Sequence, residues 1–328
     1  MPKTLLQIIN QVQGELGIPQ TSPIVGNPDP STLQLYNLLI GLTTELRRMK
    51  LWTVCQWEMI IEVPPASVFV GDTAQNSNQI INISPPLATF PQLVPQLFVA
   101  DVPSIPTECR VAGVDFGNNI LTLNMVATVN QTQVTFQLAQ DTFSFPPDFD
   151  FFQNRTMWDR TNRWELLGPD SPQMDQWHRS GIVVTGPRRH FRKLGPYSNG
   201  QFRVWPSPLE LVTNMQLVFE YMSQNCVAVA GSASEPMPAF AMNFTTDTDT
   251  PLLDDDLLIK GLKWKFWEIK GFNFADMKND WLDYVDEMYA RDGSRKTLNL
   301  VKRVNPIFLS PANVSDGFYP GPIGPNAM

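Results

Sequence analysis

The chain has 328 residues, of which 43% are hydrophobic, so it is long enough for one large or two medium domains with a sizeable core. Only 17% are charged and the formal net charge is −8, which argues against a general nucleic-acid binder, since such a protein needs a positive surface to displace counterions. Low charge combined with 29 prolines fits a surface shared with neighbouring molecules.

The first expected element is a helix. Leu5, Ile8, Ile9, Val12 and Leu16 recur at three- and four-residue spacing, Thr4 can cap the start, and Gly17 followed by Pro19 ends it. After a Pro-rich turn, Asp29 and Pro30 stand where an N-cap and first helical residue belong. The second helix is expected from Pro30 to Lys50. Leu35, Leu38, Leu39, Leu42, Leu46 and Met49 form its apolar face, and Arg47, Arg48 and Lys50 complement the helix dipole.

From Leu51 the period changes to two. Cys55, Trp57, Met59, Ile61 and Val63 alternate with their neighbours as in a half-buried strand. Short β runs follow at Val111–Phe116, Ile120–Val126, Val134–Leu138, Ile182–Val184, Phe202–Trp205 and Gln216–Tyr221. Gly117-Asn118-Asn119 is a hairpin turn between two of them. Pro64 to Pro106 reads as long loops, and the whole region as a sandwich or barrel-like β domain.

Helix returns near Thr250, expected as N-cap with Pro251 at the first position and Asp254, Asp255 and Asp256 at the positive end. Leu258, Leu262, Phe266 and Ile269 share its face, and Gly271 closes it. A last helix, about Phe274 to Asp292, carries Asn273 as cap and the stripe Met277, Trp281, Tyr284 and Met288. The remainder is too rich in Pro and Gly for regular structure. Its apolar residues, among them Leu300, Val304, Ile307 and Phe308, fit an arm docked on a partner or neighbouring subunit, or a tail folded back on its own domain.

The expected fold class is α+β: a four-helix platform from N- and C-terminal helix pairs, an inserted antiparallel β domain and an extended C-terminal arm. The expected boundaries are 1–51 and 231–293 for the platform, 52–230 for the β domain and 294–328 for the arm.

Little in the sequence points to catalysis. His178 and His190 are the only histidines, neither lies in a recognisable motif, and His178 reads as a loop residue. Cys55, Cys109 and Cys226 are too scattered for a disulfide framework or a zinc pattern and read as reduced, buried thiols. No phosphate-binding glycine motif is present. Asp254, Asp255 and Asp256 fan around a helix axis, so helix-end charge accounts for them better than a cation does. The expectation is a non-enzyme with no catalytic residue, no metal and no cofactor.

Two strings stand out. Arg188, Arg189, Arg192 and Lys193 are the one basic cluster, which fits DNA phosphates, an acidic face of a neighbouring subunit, or a solvated loop. Trp158, Arg160, Arg163 and Trp164 lie within seven residues and fit an inter-subunit contact or a loop stapled onto its own domain, with guanidiniums stacked on indoles.

A series of strings carries a family resemblance: Glu15-Leu-Gly-Ile-Pro19, Glu45-Leu-Arg-Arg48, Phe149-Asp-Phe-Phe-Gln-Asn-Arg155, Trp158 to Trp164, Gly186-Pro-Arg-Arg189, Thr246-Asp-Thr-Asp-Thr250 and Lys263-Trp-Lys-Phe-Trp267. Together they resemble podophage structural proteins found beside portal genes, and the layout is similar to the head-to-tail adaptor, or tail tubular protein A, of short-tailed phages. The resemblance spans Leu5 to about Arg291. It implies a homo-oligomeric, dodecameric ring in the virion at the head–tail junction, assembled in the host bacterial cytoplasm. Its partners would be the portal protein, a tail nozzle or tail fibre protein and, transiently and without specificity, packaged DNA. The larger β insertion departs from a minimal adaptor and leaves room for a second reading, a tail or head-decoration module binding host carbohydrate. No apolar stretch is long enough for a membrane span.

Overall fold

The computed structural model describes residues 2–87, 97–100, 104–106, 109–180, 189–196, 200–207, 214–231 and 239–293. In chain order these form α1 (Leu5–Leu16), α2 (Pro30–Met49), β1 (Gln56–Val63), β2 (Ser67–Thr73), β3 (Gln79–Ser84), β4 (Leu97–Ala100), β5 (Val111–Asp115) and β6 (Ile120–Leu123). Then come β7 (Gln131–Gln140), β8 (Thr142–Ser144), β9 (Phe149–Phe152), β10 (Trp158–Asp159), β11 (Trp164–Glu165), α3 (Pro172–Arg179), β12 (His190–Leu194) and β13 (Gln201–Trp205). The last are β14 (Met215–Ser223), β15 (Val227–Ala228), β16 (Phe240–Ala241), β17 (Thr250–Pro251), α4 (Asp255–Lys270) and α5 (Ala275–Asp292). The fold is α+β, with antiparallel sheets. No described helix is long and apolar enough to cross a membrane.

The described chain divides into two compact units. The first, largely helical, holds residues up to Trp57, Asp148–Phe151, and residues 221–293; the second holds Glu58–Pro147 and Phe152–Glu220. The β insertion expected over 52–230 is therefore interrupted: residues 148–151 and 221–230 are grouped with the helices. Polypeptide alternation alone does not reveal this, because a strand reads the same whichever core it serves.

In the helical unit, Thr4 and Gln7 form a reciprocal capping box on α1, and Gly17 closes that helix with φ +71°. Asp29 caps α2 through the Thr32 N–H, with Pro30 at the first position. Leu5, Ile8, Ile9, Leu35, Leu39, Leu42, Leu46, Leu258, Leu262 and Trp281 share one core. Gly261 permits the close packing, since a Cβ there would lie 2.6 Å from Leu42 Cδ2 and 2.8 Å from Trp281 Nε1. Helix α5 runs back along α4: Phe274 stacks near Trp264, Trp281 donates to the Leu257 carbonyl, and Tyr284 donates to Asp254.

Several helix expectations need correction. The cap of α4 is Asp254, not Thr250, because the Thr250 backbone is used in β17, where it pairs with Ala228. Ile269 does not join the buried face of α4 but is 54% exposed. Phe274 occupies the cap position of α5 without a side-chain cap bond, while Asn273 Oδ1, one residue earlier, accepts from the Ala275 N–H at 3.4 Å. Arg47 and Arg48 do lie in the last turn of α2, and Arg47 is in addition buried and paired with Asp150.

The second unit contains a six-stranded sheet in the order β4-β7-β2-β3-β6-β5. The expected long loop between Pro64 and Pro106 instead supplies β2, β3 and β4. Phe69, Gly71 and Thr73 alternate inward along β2, a signal diluted by the polar residues between and around them. Asp115 ties the expected turn between β5 and β6 by accepting from the Gly117 and Asn118 N–H groups. A further aromatic core joins Phe143, Phe145, Phe152, Phe202 and Phe219. Cys55, Cys109 and Cys226 are all free and buried, and burial pushes the Cys55 thiol up to about 12.

Candidate functional site: a helix laid across two basic strands

The second unit places α3 against β12 and β13. Ser171 caps α3 through the Met174 N–H, and Pro172 occupies the first turn. Asp175, His178 and Arg179 fall at i, i+3 and i+4, so they share one face; Met174 and Trp177 point to solvent. On the strands, His190 pairs with Trp205 and Arg192 with Arg203, and residues two apart on a strand share a face.

The two faces mesh through charge. Asp175 accepts from Arg179 Nε at 3.2 Å, Arg192 Nη1 at 2.7 Å and Arg203 Nη2 at 3.0 Å. Burial alone would raise the Asp175 pKa; the hydrogen bond from Arg192 and the charges of Arg179 and Arg203 reverse that and hold the carboxyl below the usual range. Arg179 also stacks on Trp205, 4.9 Å from the ring centroid.

The sequence reading of the basic cluster changes accordingly. Within the described residues it is not a solvated loop. Arg192 sits on β12 and is neutralised within the chain, Arg189 donates to the Pro206 carbonyl, and Lys193 lies 5.8 Å from the Phe145 ring centroid. Arg188 lies outside the described residues, as do Leu300, Val304, Ile307 and Phe308 of the expected arm and the expected run Ile182–Val184.

The histidines also differ from expectation. His178 is on α3, not in a loop, and is 95% buried. Its ring centroid is 4.1 Å from that of His190. Asp170 Oδ2 lies 3.6 Å from His178 Nε2 and 3.3 Å from His190 Nδ1. Gly168 makes this approach possible: at φ +149°, a Cβ there would lie 2.5 Å from the Phe191 carbonyl oxygen. Asp170 N–H then donates to that same carbonyl, two residues further along. Sequence reasoning missed the trio because spacings of eight and twelve residues match no familiar motif.

A second feature of this unit is a cleft of about 420 Å³ lined by Glu58, Arg155, Trp158, Arg160, Arg163 and Glu220. Trp158 and Trp164 lie on a short hairpin, β10–β11, not in a loop, with Trp158 opposite both Glu165 and Val218. Asp159 closes the turn by accepting from the Asn162 N–H and side-chain amide, and Arg163 adopts φ +61°. Arg160 pairs with Glu58, so its guanidinium engages a carboxylate where indole stacking was expected, and the neighbouring Arg155 pairs with Glu165. Of the four residues singled out, Trp158, Arg160 and Arg163 line the cleft.

The resemblance strings around Asp247 and Asp249 acquire a structural account in the helical unit. Asp247 accepts from the Ile24 and Val25 N–H groups. Asp249 accepts from Thr246 Oγ1 and from the N–H groups of Ala230, Thr245 and Thr246. Burial alone would raise the Asp249 pKa, but these bonds hold the carboxyl far below its usual range. No protein-family model matches the chain, and no curated protein is similar to it.

Proposed function

We propose that the chain is a structural virion protein: a head-to-tail adaptor subunit that forms a ring between a portal and a short tail nozzle, and is not an enzyme. The observation that carries this reading is apolar surface left uncovered on the helical unit. Ile269 and Phe272 lie at the end of α4 at 54% and 59% exposure, although Leu258, Leu262 and Phe266 of the same helix are buried. Adjacent large apolar side chains in water favour a partner surface, and in a ring each subunit supplies one to the next. The acidic composition fits a conduit through which DNA slides, because negative walls do not trap it. Ring stoichiometry, portal, nozzle and virion location come from the family resemblance.

The test is to mix the purified protein with the portal of the phage that encodes it and examine the particles by electron microscopy. The adaptor reading expects a ring stacked on the portal ring; absence of such a complex at every salt concentration overturns it.

The cleft favours a second reading, carbohydrate binding. Trp158 offers an indole face, and Glu58, Arg155, Arg160 and Glu220 offer planar polar groups beside it, a combination suited to sugar rings and hydroxyls. Retention on host polysaccharide, lost in Trp158→Ala, would select this reading.

A further inference from the structure

We propose that Asp170, His178 and His190 bind one divalent transition-metal ion, with zinc the best fit, in a site that joins the segment before α3, α3 itself and β12. This inference stands independently of the adaptor reading.

Geometry is the first argument. One donor atom from each residue can be chosen so that all three lie within 4.8 Å of one another. Zinc bonds to nitrogen and carboxylate oxygen of about 2.0–2.2 Å place tetrahedral ligands roughly 3.3–3.6 Å apart. The separations from Asp170 Oδ2 are 3.3 Å to His190 Nδ1 and 3.6 Å to His178 Nε2, both within that range.

The second argument is an unmet need. Both ring nitrogens of His178 and Nδ1 of His190 are buried without a hydrogen-bond partner among the described residues. Buried polar atoms are normally paired, and leaving one unpaired is destabilising. A metal ion satisfies two of these nitrogens at once.

The third argument is the donor set. Two imidazoles and one carboxylate suit zinc and its late first-row neighbours, whereas calcium and magnesium require shells of oxygen.

The supporting frame is independently fixed. Asp175 clamps α3 to Arg192 and Arg203 of the two strands, and backbone bonds between Leu167, Asp170 and Phe191 hold the segment before α3 beside β12. The nearby guanidiniums of Arg179, Arg192 and Arg203 are turned onto Asp175. Three protein ligands leave one position for water, as in other three-ligand zinc sites.

The test uses the full chain, stripped with EDTA, dialysed and titrated calorimetrically with zinc chloride. One saturable zinc per chain is expected, with a rise in melting temperature on loading. Cobalt(II) should give visible ligand-field bands of low-coordinate geometry without thiolate charge-transfer bands. Asp170→Asn and His190→Gln should each weaken zinc binding at least about tenfold, with circular dichroism confirming the fold. Absence of saturable binding, unchanged affinity in either folded variant, or a thiolate band implicating Cys55, Cys109 or Cys226 would each overturn the proposal. The cobalt spectrum and melting shift of the unaltered chain decide the matter even if the variants fail to fold.

Discussion

Arg47 on α2 donates to Asp150, 103 residues further along the chain, and both side chains are almost completely buried. Arg47 also reaches the Ser223 carbonyl at 3.3 Å, so the guanidinium meets a second acceptor. Two strings that carry the family resemblance, Glu45 to Arg48 and Phe149 to Arg155, thus meet at one ion pair inside the helical unit.

Removing one partner strands the other charge. Asp150→Ala should therefore cost about 3–5 kcal/mol of stability. Arg47→Met with Asp150→Leu should recover most of the loss, because apolar replacement removes the desolvation cost of both ions. Urea unfolding of the single and double variants measures this; a double variant no better than Asp150→Ala would contradict it.

Gly168→Ala should destabilise the second unit. The added Cβ meets the Phe191 carbonyl oxygen, and the backbone conformation is one that residues with side chains rarely adopt. A cost of roughly 1–3 kcal/mol is expected, read as a lower thermal midpoint. A neutral result would show that this segment relaxes away from β12 without penalty.

Acid sensitivity should involve Asp249. Its folded pKa lies below the unfolded value of about 3.9. The unfolded chain therefore binds a proton first as pH falls. The stabilisation is fully present above about pH 5 and is lost progressively as pH falls through about 4 and below. Asp249→Asn should flatten this part of the stability–pH curve. Denaturant midpoints between pH 6 and pH 3 that decline equally in both proteins would assign the effect elsewhere.

Ring assembly should depend on the uncovered end of α4. Ile269→Glu with Phe272→Glu places charge where the adaptor reading requires apolar contact. The variant should remain folded by circular dichroism yet fail to stack on the portal. Normal rings from this variant would place the subunit contact on another surface.

How much of this was legible beforehand depended on the range of each signal. Local signals read cleanly: Thr4 and Gly17 bound α1, and Asp29 with Pro30 start α2, because capping involves neighbours in the sequence. Thr250 misled because a Thr-Pro pair makes an equally good cap or strand end, and only the partner Ala228 decides between them. Ile269 fits the helical period yet faces water, since periodicity identifies a stripe but not where its partner stops. The trio of Asp170, His178 and His190 needed the tertiary approach at Gly168, and the neutralisation of Arg192 needed Asp175 on a separate element.

The chain passes between its two units at Trp57, Pro147, Phe151 and Glu220. The helical core combines residues near the start, such as Leu5 and Leu39, with Leu258 and Trp281 near the other end. During synthesis α1 and α2 must therefore wait for α4 and α5 to leave the ribosome before their apolar faces are covered. Such distant contacts slow folding, and they make completion of the helical unit a late event. Chains interrupted before α5 would expose Leu42 and its neighbours and be removed by quality control rather than compete for a place in any assembly.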